Sequence, residues 1–135
     1  MFSRITQRLI EGEQPILADH GLSMWEYIVL SRLGWRSAPT QLELAQTIGY
    51  DKTRLIALLD GLEGRDLLSR APDPSDRRAR IVRLTVAGEA ILAKARAGIR
   101  AMEEGLLADL TSKERETLLR VLPILSAIPA DADRA

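Results

Sequence analysis

The residues best suited to chemistry in this chain are four arginines, which lie between positions 77 and 83 with no acid among them. Just before them, residues 73–76 form a turn signal, because Pro presets φ and the Asp and Ser side chains bond nearby backbone amides. Residues 67–71 and 80–84 flank this turn, and the β-branched residues of the second segment are typical of a strand. The sequence therefore predicts a two-stranded ribbon whose tip carries Arg77, Arg78 and Arg80.

A cationic tip on a thin ribbon suits insertion into a nucleic-acid groove, where phosphates and a narrow minor groove attract guanidinium groups. The alternative is a solvated surface hairpin, which is what most arginine-rich turns are. A basic run is only a hypothesis about nucleic acid until its structural context is known. The structural elements next to the ribbon therefore have to be identified before a DNA-binding ribbon can be distinguished from a solvated hairpin.

The composition narrows the class of protein. The 135 residues suffice for one domain with its own core, and 46% apolar residues indicate a globular chain rather than a disordered one. No apolar run approaches a membrane span, and the first eight residues lack a signal-peptide stretch, so we expect a cytoplasmic protein with no membrane partner. The absence of Cys excludes disulfides, thiolate zinc sites and thiol-based redox sensing, and we predict no metal and no cofactor.

The net charge is zero, which argues at first against nucleic-acid binding. The charges are unevenly distributed, however. Residues 65–83 contain six Arg and three Asp, whereas residues 101–116 contain five acids and two basic residues. Phosphates respond to local charge, so the basic stretch keeps DNA binding open.

Helix starts are well marked in the sequence. A hydroxyl residue followed three positions later by Glu, the capping-box pattern, occurs at Ser23, Thr40 and Thr111, each time before an apolar-periodic run. Asp51 and Thr85 are candidate N-caps for two more helices. The periodicity predicts helices over residues 2–12, 24–35, 41–48, 52–67, 86–108 and 112–127, with Gly49 ending the third and Pro123 kinking or ending the sixth.

The third and fourth predicted helices, joined by a short turn at residues 49–50, form a helix-turn-helix. In this motif the second helix lies in the major groove of DNA with its N-terminal residues at base edges, and these residues are Lys52, Thr53 and Arg54. Thr40 and Gln41 begin the third helix and could bind a phosphate, although a plain helix cap is the favoured interpretation of Thr40. With the basic ribbon after it, the pattern predicts a mainly α fold, a winged helix-turn-helix.

The fifth predicted helix carries a second pattern. Its apolar residues follow at spacings of three and four, as in the a/d seam of a coiled coil, and they are Leu92, Ala95, Ile99, Met102 and Leu106. We interpret helices one, five and six as a helical dimerisation lobe. Within a single domain 1–135, residues 21–88 would be the DNA-reading module, and residues 1–20 and 89–128 the lobe. The alternative is that these helices fold back on the monomer.

Over residues 21–125, the chain resembles the MarR family of bacterial transcription regulators. The match is strongest from the fourth helix to the start of the fifth, which reads Leu59-Asp60, Leu62-Glu63, Leu67, Asp73-Pro74, Asp76-Arg77-Arg78 and Leu84-Thr85-x-x-Gly88. The resemblance implies a homodimeric repressor on a pseudo-palindromic operator in double-stranded DNA, released in many members by a small, often aromatic, ligand. It also implies that Arg78 enters the minor groove and that Asp76 pairs with it and holds its aim.

Some positions depart from the family pattern. Ile56 and Ala57 stand where a hydroxyl residue followed by Arg is frequent, and Gly61 stands where a basic residue is frequent. Asp66 replaces a Gly that often precedes the first wing strand. We therefore expect base reading to shift toward residues 52–54.

Other classes of function fit the chain less well. His20 is the only His, and no Ser/His/Asp order or phosphate-binding Gly loop can be assembled, so we do not expect an enzyme. The rival is a winged helix used only for protein–protein contact, whose sign would be loss of basic residues from the recognition helix and the wing. This chain retains both sets.

The candidate residues for a small aromatic effector are His20, Trp25, Arg32 and Trp35. Aromatic rings and one cation can together hold an aromatic carboxylate. The alternative, slightly favoured for the two tryptophans, is that they pack in a dimer interface.

Overall fold

The computed structural model of the chain describes residues 1–34 and 38–126. Within these ranges the elements follow the predicted order: α1 (Phe2–Asp19), α2 (Met24–Leu33), α3 (Gln41–Ile48), α4 (Lys52–Gly64), β1 (Leu68–Asp73), β2 (Asp76–Leu84), α5 (Val86–Leu106) and α6 (Ser112–Leu125). The prediction of a mainly α fold with a two-stranded wing is therefore confirmed. None of the helices in these ranges is both long enough and apolar enough to cross a membrane.

Side-chain caps determine where the helices begin. Ser23 and Thr111 form complete capping boxes, in which the hydroxyl accepts from the Glu amide three residues on and the Glu side chain accepts from the amide of the cap residue. Thr40 caps α3 by accepting a hydrogen bond from the third amide of the helix at 3.2 Å. Asp51 and Thr85 cap α4 and α5, so all five predicted N-caps are confirmed.

The first helix runs further than the sequence predicts. It reaches Asp19 instead of ending near residue 12, and it continues through both Gly12 and Pro15. Gly12 suits a close helix crossing, because a Cβ there would lie 2.9 Å from the sulfur of Met102 on α5. Burial of Leu17 in the core helps to offset the backbone hydrogen bond that Pro15 cannot make.

One continuous hydrophobic core joins the helix-turn-helix, the wing, α1 and α5. Its largest fully buried side chains come from α1, α2, the helix-turn-helix and the wing, and they are Leu17, Val29, Leu30, Leu44, Leu55, Leu59, Leu62, Leu68 and Val82. The wing contributes two of them, one on each strand. Burial therefore anchors the wing at its base.

Most of the apolar seam of α5 lies inside the single chain. Leu92, Ala95 and Ile99 are buried in the core, and Met102 packs against its edge. The interpretation of these residues as a coiled-coil seam between two chains is wrong, because α1 and α2 cover α5 within the monomer. Leu106, the last residue of the seam, remains exposed.

The two wing strands pair antiparallel, as the sequence predicts, with Ala71 opposite Ile81. The second strand also contacts the segment that precedes α3. The amide of Val82 donates to the carbonyl of Pro39 at 2.9 Å, and Thr40 forms an isolated bridge with Ile81. Main-chain hydrogen bonds thus join the wing to the helix-turn-helix in addition to the shared core.

The junction between the wing and α5 is very tight. A Cβ at Gly88 would lie 1.9 Å from the carbonyl oxygen of Leu67. Thr85 donates its amide to that same carbonyl at 3.2 Å and its hydroxyl to the carbonyl of Asp66 at 2.6 Å. Asp66 itself has a left-handed φ of 60°, a conformation that favours Gly, so the departure from the family pattern at this position is one of residue type and not of backbone shape.

We expect Gly88→Ala to lower the free energy of unfolding by about 1–3 kcal/mol, the usual cost of overpacking, because its methyl group would meet backbone that cannot rotate away. Equilibrium unfolding in denaturant measures the change. Gly61→Ala is the matched control, because nothing lies within 4 Å of a Cβ at that position. It should stabilise α4 by about 0.5–1 kcal/mol. Equal unfolding free energies for the two variants would contradict the role assigned to Gly88.

Candidate nucleic-acid interface

The first turn of α4 presents the three residues predicted to read the major groove. Lys52, Thr53 and Arg54 are all exposed there. Two features position this turn: Gly49 ends α3 with a left-handed φ of 66°, and the Asp51 carboxylate accepts a hydrogen bond from the Arg54 amide at 3.0 Å. The cap engages the main chain of Arg54, and the side chain of that residue extends to solvent.

Thr40 and Gln41, at the start of α3, are engaged within the chain. The Thr40 hydroxyl caps the helix, which is the interpretation that the sequence favours for it. Gln41 Oε1 accepts a hydrogen bond from the guanidinium of Arg70 at 3.1 Å. Arginine can only donate, so this contact fixes the Gln41 carboxamide with its NH₂ group directed away from Arg70. A phosphate that approached Gln41 would meet a donor, as phosphate binding requires.

The three wing arginines, Arg77, Arg78 and Arg80, are exposed around the tip of the ribbon. In the turn between β1 and β2, the Asp73 carboxylate accepts from the Ser75 amide at 2.9 Å and from the Ser75 hydroxyl at 2.8 Å. These hydrogen bonds, the amide first, hold the pKa of Asp73 below its usual value. The turn chemistry predicted for residues 73–76 is therefore present and stabilised by a charged acceptor.

Asp76 contacts Arg78 through the main chain. Its carboxylate accepts a hydrogen bond from the Arg78 amide at 3.0 Å. The acid thereby orders the piece of backbone from which the Arg78 side chain projects. The further expectation, that Asp76 aims the guanidinium itself, stays a prediction.

An arginine to which the sequence assigns no role, Arg70 on β1, connects the wing to both helices of the motif. It donates to the two carboxylate oxygens of Glu63 at 3.3 and 3.2 Å, to Gln41 at 3.1 Å, and to Asp60. The Arg70 side chain is only 10% exposed. We call Arg70, Gln41, Asp60 and Glu63 the wing-base clamp.

Electrostatics within the wing-base clamp favour the charged forms of Arg70 and Glu63. The hydrogen bond from Arg70 is the largest influence that lowers the pKa of Glu63. The pKa of Arg70 is raised, first by its hydrogen bond to Glu63 and then, against the opposing effect of burial, by its hydrogen bond to Asp60. The guanidinium therefore remains a fixed cation between α3, α4 and β1.

No local pattern marks the wing-base clamp in the sequence, because Arg70 lies 7, 10 and 29 residues from Glu63, Asp60 and Gln41. In the sequence it counts only as one of six basic residues around the wing. The signal that could have found it is Glu63, which belongs to the motifs that carry the family resemblance without an evident surface role.

A second ion pair connects the far end of α4 to α2. Arg65, the residue after α4, donates to Glu26 Oε2 at 3.0 Å. Glu26 Oε1 accepts from the Ser23 amide at 2.9 Å and so completes the capping box of α2. The same carboxylate thus holds the start of α2 and the end of α4.

Three of the four candidate effector residues lie at the end of α1 and on α2. His20 follows the last residue of α1, and Trp25 and Arg32 lie in the first and last turns of α2. Trp25 is 39% exposed and packs on Tyr50, in the turn of the helix-turn-helix, with ring centroids 4.4 Å apart. The sequence predicts no contact for Tyr50. Trp35 lies outside the described residues.

Known proteins share this architecture. A family model described as the MarR family matches residues 22–79. The structure of the transcriptional repressor CouR bound to a 23-mer DNA duplex is 34% identical to this chain, with a TM-score of 0.77 and coverage of 92% of this chain and 88% of that one.

Two further structures are similar over nearly the whole chain. Wild-type MarR from E. coli in its apo form is 24% identical, with a TM-score of 0.85 and 93% of each chain covered. A probable transcriptional regulator from Pseudomonas aeruginosa is 28% identical, with a TM-score of 0.70 and coverage of 93% and 96%. Since the family model, the repressor at 34% identity and the winged helix-turn-helix agree, this chain belongs to the MarR family of transcriptional regulators.

Proposed function

We propose that this protein is a sequence-specific DNA-binding regulator, in the first instance a repressor, that reads a pseudo-palindromic operator as a homodimer. The observation that carries the proposal is the joint exposure of a basic first turn on α4 and an arginine tip on a wing of the same module. A recognition helix in the major groove and a basic wing beside it are a known way to read duplex DNA. The similarity to CouR, whose structure was determined on a DNA duplex, supports this proposal.

The two exposed elements would read different features of the duplex. Lys52, Thr53 and Arg54 would face base edges in the major groove, where an Arg side chain can bind guanine through two hydrogen bonds. Arg78, with Arg77 and Arg80 beside it, would enter the narrower minor groove, whose negative potential attracts guanidinium. The neutral chain can bind DNA in this way because the field at the contact is set by the local arginines and not by the net charge.

The proposed dimer would use the helices at the two ends of the described chain. Large apolar side chains are exposed on α1 and α6, and they include Phe2, Ile5, Leu119, Leu122, Ile124 and Leu125. Extensive exposed apolar surface of this kind is unusual in a monomer. A two-fold axis through this surface would present two reading modules to the two half-sites of one operator.

Release by a small aromatic ligand is the finer part of the proposal. Trp25 and Arg32 share one face of α2 and could hold an aromatic ring and its carboxylate. The packing of Trp25 on Tyr50 supports a route from ligand to DNA, because Tyr50 lies directly before the cap of α4. A ligand that moved Trp25 would thereby act on the turn of the helix-turn-helix.

Selection from a random pool of duplexes tests the main proposal. We expect an enriched motif with dyad symmetry, its half-sites about one helical turn apart. Affinity for that motif should fall steeply with salt, since phosphate contacts release counterions. A winged helix that serves only protein–protein contact would enrich no motif and would not bind heparin or bulk DNA at low salt, and this result would overturn the proposal.

Substitutions at Arg54 and Arg78 should have different effects on the selected operator. Arg54→Ala should cost about 1–3 kcal/mol of binding free energy and relax the preference at one position of each half-site, as for a major-groove base contact. Arg78→Ala should weaken binding more evenly across sequences, apart from a preference for narrow minor grooves. Titration of each variant against operators changed one base pair at a time separates the two patterns. Identical specificity profiles would contradict the assignment.

Asp76 provides the most discriminating substitution of the wing, because it is an acid beside phosphates. Asp76→Ala should weaken operator binding, since the Arg78 amide loses the acceptor that orders it. Asp76→Asn is the matched control, because its carboxamide oxygen can still accept from that amide while the negative charge is removed. If the acid acts through the main chain alone, Asp76→Asn should bind at least as tightly as the original protein. Tighter binding by Asp76→Ala would exclude a positioning role.

Leu122→Glu on α6 should convert the dimer to a monomer and abolish tight operator binding, because a charge would be buried in the apolar contact. Val86→Glu is the control: Val86 is 84% exposed at the start of α5, away from α1 and α6, and its variant should remain dimeric. Analytical ultracentrifugation at micromolar concentration measures both. A folded monomer of the unaltered protein would refute the dimer outright.

A further inference from the structure

We propose that Arg70 is the positioning residue that sets the angle of the wing relative to the recognition helix. The inference rests on the proposed function, since it concerns how two DNA-reading elements are held in one geometry. Arg70 lies on the strand that does not carry the wing arginines, so it would act on DNA only through its effect on other residues.

The contacts of Arg70 fix the orientation of its guanidinium as well as its distance from α3 and α4. Its Nε and one terminal nitrogen hold the two oxygens of Glu63, and its terminal nitrogens reach Gln41 and Asp60. A guanidinium is planar and donates in a fixed fork, so four such hydrogen bonds orient the side chain relative to both helices. Val82, which pairs with Arg70 across the ribbon, is fully buried, so it anchors the ribbon at the point about which the outer part of the wing can turn.

The tip of the wing projects beyond Arg70. Asp73, at the end of β1, lies three positions after Arg70, which at about 3.3 Å per residue places the tip roughly 10 Å beyond the wing-base clamp. An isolated two-stranded ribbon is only marginally stable, so its direction depends on what holds its base. A small rotation at Arg70 therefore becomes a larger displacement of the arginines at the tip.

Arg70 also controls the charge and the donors beside the reading surface. Asp60 and Glu63 lie on α4 itself, and the single positive charge of the guanidinium offsets part of the negative charge with which these two carboxylates would repel phosphates. The same group turns the NH₂ of Gln41 outward at the start of α3. The Arg70 side chain thus affects three properties: the angle of the wing, the charge of α4 and the orientation of Gln41.

The test is a double-mutant cycle on the selected operator with Arg70→Lys and Arg78→Ala. Lys keeps the positive charge and loses the fork, so the variant isolates position from charge. We expect Arg70→Lys to weaken binding about tenfold, and Arg78→Ala to weaken it about tenfold in the original protein. In the Arg70→Lys background, Arg78→Ala should weaken binding less than about twofold, because a wing at the wrong angle no longer places Arg78 on the DNA.

Arg65→Lys is the matched control, because it makes the same change in another Arg–Glu ion pair, which lies at the far end of α4. It should leave operator affinity within about twofold and leave the full effect of Arg78→Ala in place, as expected for distant, independent sites. Thermal unfolding of every variant verifies that it is folded. If Arg70→Lys fails to fold, Glu63→Gln replaces it in the cycle, since it removes one charge from the wing-base clamp and replaces one of the two acceptor oxygens with an NH₂ donor while preserving shape.

The outcomes separate the inference from the proposed function. In one outcome the original protein binds the operator, Arg70→Lys or Glu63→Gln binds it as tightly, and Arg78→Ala weakens binding by the same factor in every background. This outcome overturns the role of Arg70 but not DNA recognition. Failure of the original protein to enrich any duplex overturns both. Strong coupling between positions 70 and 78, absent between positions 65 and 78, is the result expected.

Discussion

The carbonyl of Leu67 meets the first turn of α5 at a distance that admits only Gly88, and the arrangement of the molecule depends on this contact. The same carbonyl accepts from the Thr85 amide, so the start of β1 and the end of β2 are held against one helix. The wing is consequently fixed at its base between α5 and the helix-turn-helix. This junction therefore sets the position of the wing base, from which the wing arginines extend.

Acidic residues in the reading module illustrate how a neutral chain can still present a basic surface. Asp51 and Asp73 each accept main-chain hydrogen bonds, one at the start of α4 and the other in the wing turn. Asp76 does the same at Arg78. Their negative charges serve as local acceptors that shape the backbone, while the arginine side chains around them extend outward. The formal count of charges therefore says little about what a phosphate would meet.

Local signals account for what the sequence predicts well. All five N-caps, the order of the elements and the pairing of the wing depend on residues close together in the chain, and each is recognisable by its turn or cap chemistry. Spacings of three and four on α5 indicate an apolar face but not its partner, so they predict a contact between two chains for Leu92, whereas α1 and α2 cover α5 within one chain. The sequence does not reveal the wing-base clamp for a related reason, since Arg70 and Gln41 meet only after folding.

The unbroken core has a consequence for how such regulators can be recombined. Leu17 from α1 and Ala95 from α5 are buried together with Leu55 and Leu59 of the recognition helix. A chimaera that exchanged only the exposed residues of α4 and the wing would retain this packing, whereas one that exchanged residues 21–88 as a cassette would create a new interface through the middle of the core. Exposed positions of α4 and the wing can thus change with little disturbance to the fold, whereas whole segments cannot be exchanged without repacking the core.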